Sequence, residues 1–289
     1  MTRSKNTAPR IESFGGDAEA YDRYLDSPRG RLRFEAAFEH LSEAFPALRE
    51  TSELRILDAG GGTGRMAVRL AQLGHRVRLL DPSPHMIDLA RGRATAAGAE
   101  VGARLSWTLG AIGDTAADVG SGYDLVIAHN VLEYVADPGE AVQALADAGA
   151  DGGYVSLLCA NRLSQPLALA RKGGDSASVR AAMGEHRFPT ELFGGWRTEF
   201  DPRDLATLAR DAGLHQLALR GVSVLGVSAA SFGATPDEER AWLEIELRVG
   251  REEAYLGVAR YLQCIARRGA RADATPSIGN DGDGRLSGA

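Results

Sequence analysis

The sequence is poor in cysteine, in long apolar runs and in segments typical of targeting signals. Its two cysteines, Cys159 and Cys264, lie in separate apolar stretches, which favours buried thiols over a disulfide. No spacing of cysteine and histidine is typical of a zinc site, so we expect no bound metal. Residues 1–10 lack the apolar core of a signal peptide, and no stretch reaches the ~18 apolar residues of a membrane span. We therefore expect a cytoplasmic protein that does not bind a membrane.

Basic residues are fewer than acidic ones. The 289-residue chain has 33 Lys and Arg against 39 Asp and Glu, which gives a formal net charge of -6. Because phosphate contacts need clustered cations, this balance argues against a protein held on nucleic acid mainly by charge. A local basic patch can still lie on an acidic protein. Hydrophobic residues at 44% and charged residues at 25% are typical of a globular enzyme with a full core.

Apolar runs of strand length alternate with amphipathic stretches of helix length. Strands are predicted at residues 54–58, 75–81, 103–109, 123–129, 154–159, 215–225 and 257–266. Helices are predicted at residues 66–73, 139–148, 201–212 and 237–250, with one more that Ser83 can cap. This alternation indicates an α/β fold with a doubly wound sheet of seven strands. Such sheets bind ligands at the carboxyl ends of their strands.

We predict one main domain, residues 11–268, between two polar ends. Residues 1–10 are predicted to be a flexible N-terminus, and residues 269–289, rich in Gly, Asp and Ser, a disordered tail. Within the domain, residues 161–197 break the alternation. We interpret them as a variable inserted cap segment that covers the site and selects the acceptor.

A glycine-rich motif, Asp58-Ala-Gly-Gly-Gly-Thr-Gly64, follows the first strand and opens the first helix. Glycine lets the backbone turn sharply and approach a ligand, and the helix N-terminus favours a carboxylate. Asp81 ends the second strand, where a carboxylate can accept hydrogen bonds from both ribose hydroxyls. The pattern of residues 62–67 also fits a dinucleotide-binding loop. However, Asp58 would lie badly beside a pyrophosphate, whereas it suits a cationic cofactor that carries an amino group.

These motifs resemble those of the class I SAM-dependent methyltransferases, which have a Rossmann-like fold. The similarity rests on the glycine motif, on Asp81 and on the strand at residues 124–129. Three further segments, residues 30–33, 129–138 and 255–261, look like the tRNA 5-carboxymethoxyuridine methyltransferases. This resemblance covers residues 27–268, and it implies S-adenosyl-L-methionine (SAM) as the cofactor.

The resemblance also implies roles for individual residues in binding SAM. Arg33 stands where the family has an arginine that contacts the cofactor's carboxylate. Asp81 would hold the ribose, and His129 would close the site after the fourth strand. The expected cofactor-binding residues are Arg33, Asp58, Gly60, Gly61, Gly62, Asp81, Ile112, Gly113 and His129.

The cap segment departs from the family pattern. Family members that modify tRNA carry a dense run of lysine and arginine here, whereas residues 183–196 have two acids, few cations and several aromatics. A surface that grips a tRNA backbone should be more basic. Phe188, Phe193 and Trp196 could line an apolar pocket for a small planar substrate, or they could anchor the cap to the core.

The reaction's need for a base depends on the acceptor. Methyl transfer to a carboxylate needs none, whereas a phenol, amine or aromatic carbon benefits from one. His129 and Glu133, one turn apart beyond the fourth strand, are the candidate catalytic residues, with His186 a weaker candidate. Packing on the cofactor for His129, and a capping or ion-pair role for Glu133, are the structural alternatives. Three more residues could frame the acceptor or stabilise the sheet edge: Tyr255, Arg260 and Tyr261.

Three functions are compatible with these observations. The acidic charge and the aromatic cap favour a methyltransferase that acts on a small-molecule acceptor. The overall resemblance favours the alternative, a tRNA wobble-uridine methyltransferase that methylates the carboxyl group of 5-carboxymethoxyuridine. A non-catalytic SAM-binding module is the third possibility, which the intact glycine motif disfavours.

Overall fold

A seven-stranded mixed sheet forms the centre of the part of the chain that the computed structural model describes, residues 18–50, 52–114, 119–190, 195–226 and 235–269. Its strands are β1 Arg55–Ala59, β2 Arg76–Asp81, β3 Leu105–Leu109, β4 Tyr123–His129, β5 Gly149–Ala160, β8 Leu214–Val222 and β9 Tyr261–Arg268. Their spatial order, β3-β2-β1-β4-β5-β9-β8, confirms the Rossmann-like doubly wound α/β fold. Every neighbouring pair is parallel except the two that involve β9.

Helices cover both faces of this sheet. Ile56 and Leu57 are neighbours on β1, so their side chains point to opposite faces, and they belong to two separate apolar clusters. The helices described are α1 Ala18–Asp26, α2 Pro28–Ala44, α3 Arg65–Gln72, α4 Pro84–Ala97, α5 Ala99–Gly102, α6 Pro138–Ala148, α7 Gln165–Arg171, α8 Ser176–Ala182, α9 Pro202–Asp211, α10 Pro236–Arg251 and α11 Glu253–Leu256. The cluster of Ile56 packs against α2, α3 and α4, and that of Leu57 packs against α6 and α9.

Side chains next to the helix starts explain where several helices begin. The Ser83 hydroxyl accepts a hydrogen bond from the Met86 N–H at 3.3 Å, as the sequence predicted. Asp201 and Asp204 form a reciprocal capping box at the start of α9. Each of these helices also has proline in its first turn, where the missing N–H costs no hydrogen bond.

The cap segment has more regular structure than the sequence predicted. It contains α7, α8 and a short antiparallel hairpin of β6 Arg187–Pro189 and β7 Trp196–Thr198. Strands of three residues are too short to show the alternation of apolar and polar residues on which strand prediction depends. The hairpin is tied to the sheet because the Thr198 and Phe200 N–H groups donate to the carbonyls of Glu133 and Ala160, at 2.9 Å each.

The predicted flexible N-terminus, residues 1–10, lies outside the described residues, as does the predicted tail apart from Gly269. Among the helices that the structure does describe, none is long and apolar enough to cross a membrane. Within the same ranges, no group of three or more His, Cys, Asp or Glu side chains could hold a metal ion.

Candidate functional site

A cavity of about 1490 Å³ opens at the edge of the sheet where the parallel strands end. Sites for one drug-sized ligand occupy ~300–1,000 Å³, so this cavity has room for a cofactor and an acceptor together. Its wall includes Arg33, Gly60, Gly62, Asp81, Ile112, Gly113 and His129. Asp58 and Gly61 line a smaller recess that adjoins the same loop. The structure therefore brings together all the residues that the sequence assigned to the cofactor.

The glycine-rich loop requires its glycines. Gly60, Gly62 and Gly64 have positive φ angles of 69°, 52° and 76°, which side chains with a Cβ rarely adopt. At Gly61 a Cβ would lie only 2.7 Å from the Leu79 side chain. The loop is fixed on β2, because the Gly60 and Gly61 N–H groups donate to the Leu80 carbonyl at 2.7 and 3.2 Å.

Two buried carboxylates flank this loop. Asp81 accepts hydrogen bonds from the N–H groups of Gly62 and Ser83, both at 2.9 Å, and burial raises its pKa to about 6. The Oδ2 atom of Asp58 has no hydrogen-bond partner in the described residues. Burial, with the nearby charge of Asp81, raises the pKa of Asp58 to about 7. An orphaned carboxylate oxygen suits a cationic ligand, so this wall fits the ammonium and sulfonium charges of SAM.

Arg33 supplies the opposite charge. Its guanidinium carbon lies 5.2 and 5.0 Å from the ring centres of Tyr24 and Tyr261, and Nη2 lies 3.4 Å from the Tyr21 hydroxyl. The residue is buried, and no carboxylate in the described ranges forms an ion pair with it. A buried cation without an acidic partner suits a ligand carboxylate, as the resemblance implied for this position.

His129 is held as a neutral ring. Its Nε2 lies 2.8 Å from the Ser156 hydroxyl, which also accepts a hydrogen bond from Gln263 at 3.1 Å. Burial, with a smaller contribution from the charge of Arg33, lowers the pKa of His129 to about 3. His129 is therefore a poor base.

Glu133 ties two strand ends together. Its Oε1 accepts hydrogen bonds from the N–H of Ala160, where β5 ends, at 2.8 Å and from the Asn130 side chain at 3.2 Å. Burial raises the pKa of this carboxyl. Its Oε2 has no hydrogen-bond partner among the described residues. Glu133 lines the cavity, but one of its oxygens has a structural role.

The cap and the residues just after it form the opposite wall, whose most polar residues the sequence did not predict. Arg197 lines the cavity, and its guanidinium donates a hydrogen bond to the carboxylate of the fully buried Glu199. Arg197 lies in the short strand β7 and Glu199 directly follows it, and the sequence did not predict this strand. Arg260 and Tyr261, whose place the sequence left open, also line the cavity.

The aromatic residues of the cap have different positions. Phe188 and Trp196 both line the cavity, with Phe188 buried and Trp196 44% exposed. Phe193 lies outside the described residues. Two other candidates do not line the cavity: Tyr255 is exposed, and the imidazole of His186 lies 3.9 Å from Asp204 at the start of α9.

The chain is similar to known methyltransferases. A family described as a methyltransferase domain matches residues 29–219. The tRNA 5-carboxymethoxyuridine methyltransferase of Escherichia coli strain K12 is 31% identical over 89% of this chain and 96% of that protein. The ubiquinone biosynthesis O-methyltransferase of Methylocella silvestris is 34% identical over 61% of this chain and 64% of that protein.

The fold is also shared with solved structures. The crystal structure of magnesium protoporphyrin IX methyltransferase from Synechocystis PCC 6803, with bound SAH, has a TM-score of 0.57 to this chain. It is 16% identical and covers 89% of this chain and 98% of that one. The shared architecture therefore extends well beyond the glycine-rich loop.

Proposed function

Because this chain belongs to the SAM-dependent methyltransferases, we propose that it transfers the methyl group of SAM to a carboxylate oxygen. When bound, SAM supplies a methyl group on a positively charged sulfur, so a carboxylate that accepts it becomes an ester and releases no proton. The chain's own contribution is to hold the two reactants in line and to exclude water.

The state of the two candidate bases carries this proposal. His129 is neutral, and the Ser156 hydroxyl occupies its Nε2, while Glu133 uses one oxygen to join β4 to β5. A phenol or amine acceptor would release a proton and benefit from a free base. A carboxylate acceptor has no such need, so it suits a site in which His129 is a weak base and Glu133 has only Oε2 without a hydrogen-bond partner among the described residues.

We assign the cofactor to the wall built from the glycine-rich loop and the strand ends. Arg33 would pair with its carboxylate, Asp58 would face its ammonium group, and Asp81 would bind the ribose hydroxyls. Gly60, Gly61 and Gly62 would lie against its methionine portion, and Ile112 and Gly113 would edge its adenine. His129 would close the site by packing on the cofactor.

The carboxylate of 5-carboxymethoxyuridine in tRNA is the first candidate acceptor. The similarity to the E. coli enzyme of that name covers 96% of that enzyme, whereas the similarity to the M. silvestris ubiquinone enzyme covers 64% of it.

A free small-molecule carboxylate is the second candidate acceptor. Two apolar rings, Phe188 and Trp196, lie on the cavity wall, and the overall acidic charge weakens long-range attraction to nucleic acid. These features favour an acceptor with an apolar, planar body attached to its carboxylate.

The experiment that tests this proposal follows the methyl group. The purified protein is incubated with methyl-labelled SAM and, in separate reactions, with tRNA that lacks the terminal methyl group or with a small-molecule extract. We expect label in the tRNA fraction that ribonuclease releases and that mild alkali converts to volatile methanol, because methyl esters hydrolyse readily. Alkali-labile label confined to the small-molecule fraction would identify the second acceptor. Alkali-stable label in either fraction would contradict transfer to a carboxylate.

A Glu133→Gln variant tests the same proposal through the proton. Glutamine keeps the oxygen that accepts from the Ala160 N–H, so the fold should persist. For a carboxylate acceptor we expect kcat to stay within about tenfold of the wild type, whereas loss of a general base costs ~10²–10⁴-fold. A loss in that larger range, with unchanged SAM affinity, would show that Glu133 takes up a proton.

A further inference from the structure

A compact group of polar side chains lies on the cap side of the cavity. At its centre is Glu199, whose side chain is 0% exposed. Its Oε1 accepts hydrogen bonds from Nε and Nη2 of Arg197 at 2.9 and 2.7 Å, and from the amide of Gln165 at 2.6 Å. Arg260 approaches the same carboxylate from another direction, at 3.3 and 3.4 Å. One buried acid thus fixes two arginines that come from distant parts of the chain.

Both arginines retain capacity to bind a ligand. A guanidinium carries five N–H donors, and the contacts with Glu199 use two of those of Arg197. The contacts of Arg260 with Glu199 and Ser164, at 3.3–3.4 Å, are longer than an ordinary N–H···O bond. The side chains of Arg197 and Arg260 are 19% and 29% exposed, and both line the cavity. Their remaining donors are therefore open to an occupant of the cavity.

The local charge favours an anion. Two guanidinium groups face one carboxylate in this group, which leaves a net positive charge at the wall. The other acidic side chain near Arg197 is Glu133, whose Oε1 accepts hydrogen bonds from the Ala160 N–H and the Asn130 side chain. Guanidinium groups match carboxylates in geometry, because two parallel N–H groups can bind two oxygens.

The group lies next to the cofactor wall. The guanidinium carbon of Arg260 is 5.4 Å from the ring centre of Tyr261, and that of Arg33 is 5.0 Å from the same ring. A single aromatic ring therefore contacts both Arg33, which is assigned to the cofactor, and Arg260, which precedes β9. An anion bound at Arg197 and Arg260 would be held in the same cavity as the methyl donor.

We propose that Arg197 and Arg260, fixed by Glu199, form the subsite that binds the carboxylate of the acceptor. This inference rests on the proposed transfer to a carboxylate, and it adds the residues that recognise that group. Asp137, Glu140 and Glu185 also line the cavity, but they belong to other elements and form no ion pair with these arginines in the described residues.

A binding experiment tests the subsite without methyl transfer. Wild-type protein saturated with SAH is titrated calorimetrically with free 5-carboxymethoxyuridine and, separately, with its methyl ester. The two nucleosides differ in the charge that the subsite would recognise. We expect the carboxylate to bind about tenfold or more tightly than the ester, and Arg197→Gln and Arg260→Gln to remove most of that preference. Arg197→Lys and Arg260→Lys keep the charge but lose the paired donors, so they should retain part of it.

Two controls keep the result interpretable. Arg180→Gln removes the same charge from α8 of the cap at an exposed side chain that does not line the cavity, so the preference should persist. The SAH affinity of every variant, measured first, reports whether the cofactor wall has stayed folded. If a glutamine variant loses SAH binding, the lysine variant at the same position gives the test.

The outcomes separate the subsite from the proposed function. Equal affinity of the wild type for the two nucleosides, including no measurable binding of either, would overturn the subsite. A preference that survives loss of both arginines would also overturn it, even if the protein methylates a carboxylate. A preference that the arginine variants remove would support the subsite, even if labelling finds a different tRNA position or a small molecule as acceptor.

Discussion

At the scale of single residues, the buried carboxylate of Asp58 lowers the stability of the folded protein, whereas it would strengthen the binding of a cationic ligand. It lies 3% exposed behind the glycine-rich loop, with one oxygen lacking a hydrogen-bond partner among the described residues. Burial raises its pKa to about 7, so its ionised form destabilises the folded protein. A cationic ligand would reverse that effect. Asp58 therefore belongs to the residues whose position favours binding over stability.

An Asp58→Asn substitution should separate these two effects. At about pH 8 we expect the variant to be more stable than the wild type without SAM, because no buried charge has to be desolvated. For a chain of this size, each 1 kcal/mol should appear as roughly 2–4 °C in Tm. We expect SAM to bind about tenfold or more weakly, by calorimetry, because the charge is lost.

The matched control is Asp88→Asn, an exposed carboxylate on α4 that does not line the cavity. It should change neither Tm nor SAM affinity. Unchanged SAM affinity in Asp58→Asn would show that this carboxylate does not face the cofactor.

At the scale of elements, the glycine-rich loop joins β1 to α3 through positions with different constraints. Gly64 precedes α3, and a Cβ there would lie 2.7 Å from the Cβ of Ala90 on α4. At Gly62 the nearest atom to such a Cβ is the sulfur of Met86, at 4.0 Å. Both glycines have positive φ. Gly64 therefore lets two helices pack closely, whereas Gly62 leaves space at the cavity wall.

Alanine at these two positions should have different consequences. Both variants incur the cost of a left-handed backbone, roughly 1–2 kcal/mol. Gly64→Ala should lose additional stability, because α3 and α4 must separate, while Gly62→Ala should mainly weaken SAM binding. Urea denaturation and calorimetry on the two variants measure the two effects. Equal losses of stability would contradict the assignment of Gly64 to helix packing.

The direction of β9 decides which residues reach the cavity, as the glycine-rich loop does on the other side. Because β9 runs antiparallel to β5, its first residue, Tyr261, pairs with the last residue of β5, Ala160. The start of β9 therefore lies at the edge where the parallel strands end, together with Arg260. The Asn161 side chain fixes this junction by donating to the carbonyls of Leu256 and Ala259, both at 2.8 Å. A reversed final strand thus brings residues from near the C-terminal end of the described chain into the cavity.

At the scale of the whole molecule, buried histidines make stability depend on pH. His40, on α2 and facing β8 and α10, is 1% exposed, and its ring nitrogens make no hydrogen bond of standard geometry. Burial lowers its pKa from 6.5 to about 4. In the unfolded chain the ring takes up a proton below about pH 6.5, whereas in the folded protein it stays neutral until about pH 4. Its contribution to stability is therefore present above pH 6.5 and is lost as the pH falls.

A His40→Met variant should isolate this contribution. The difference in unfolding free energy between variant and wild type should shift in favour of the variant as the pH falls from about 6.5 to 4. Its slope should approach ~1.4 kcal/mol per pH unit. Urea denaturation across this range measures it. His215→Met, at an exposed histidine, is the control, and it should show no comparable slope. A difference in unfolding free energy that stays constant across this pH range would show that the His40 ring takes up its proton as readily in the folded protein as in the unfolded chain.

The sequence by itself determined the sheet, the family and the position of the glycine-rich loop. Residues that are close along the chain carry these features, since periodicity marks strands and helices and the spacing from Asp58 to Gly64 marks the loop. The strand at residues 123–129 was predicted with the same bounds that the structure shows. Asp81 needed only its place at the end of β2, because parallel strands place all their carboxyl ends at one edge.

Only the tertiary structure decided how the acceptor side is built. Arg197 and Arg260 are brought to Glu199 by a hairpin of three-residue strands and by the reversed direction of β9. Contacts across 61 residues leave no local pattern in a sequence, and a short strand has no detectable period. For the same reason, the sequence did not determine whether His129 and Glu133 can act as bases. Their burial and their hydrogen bonds to Ser156 and Ala160 decide this, and both depend on packing between elements that the sequence predicts only one at a time.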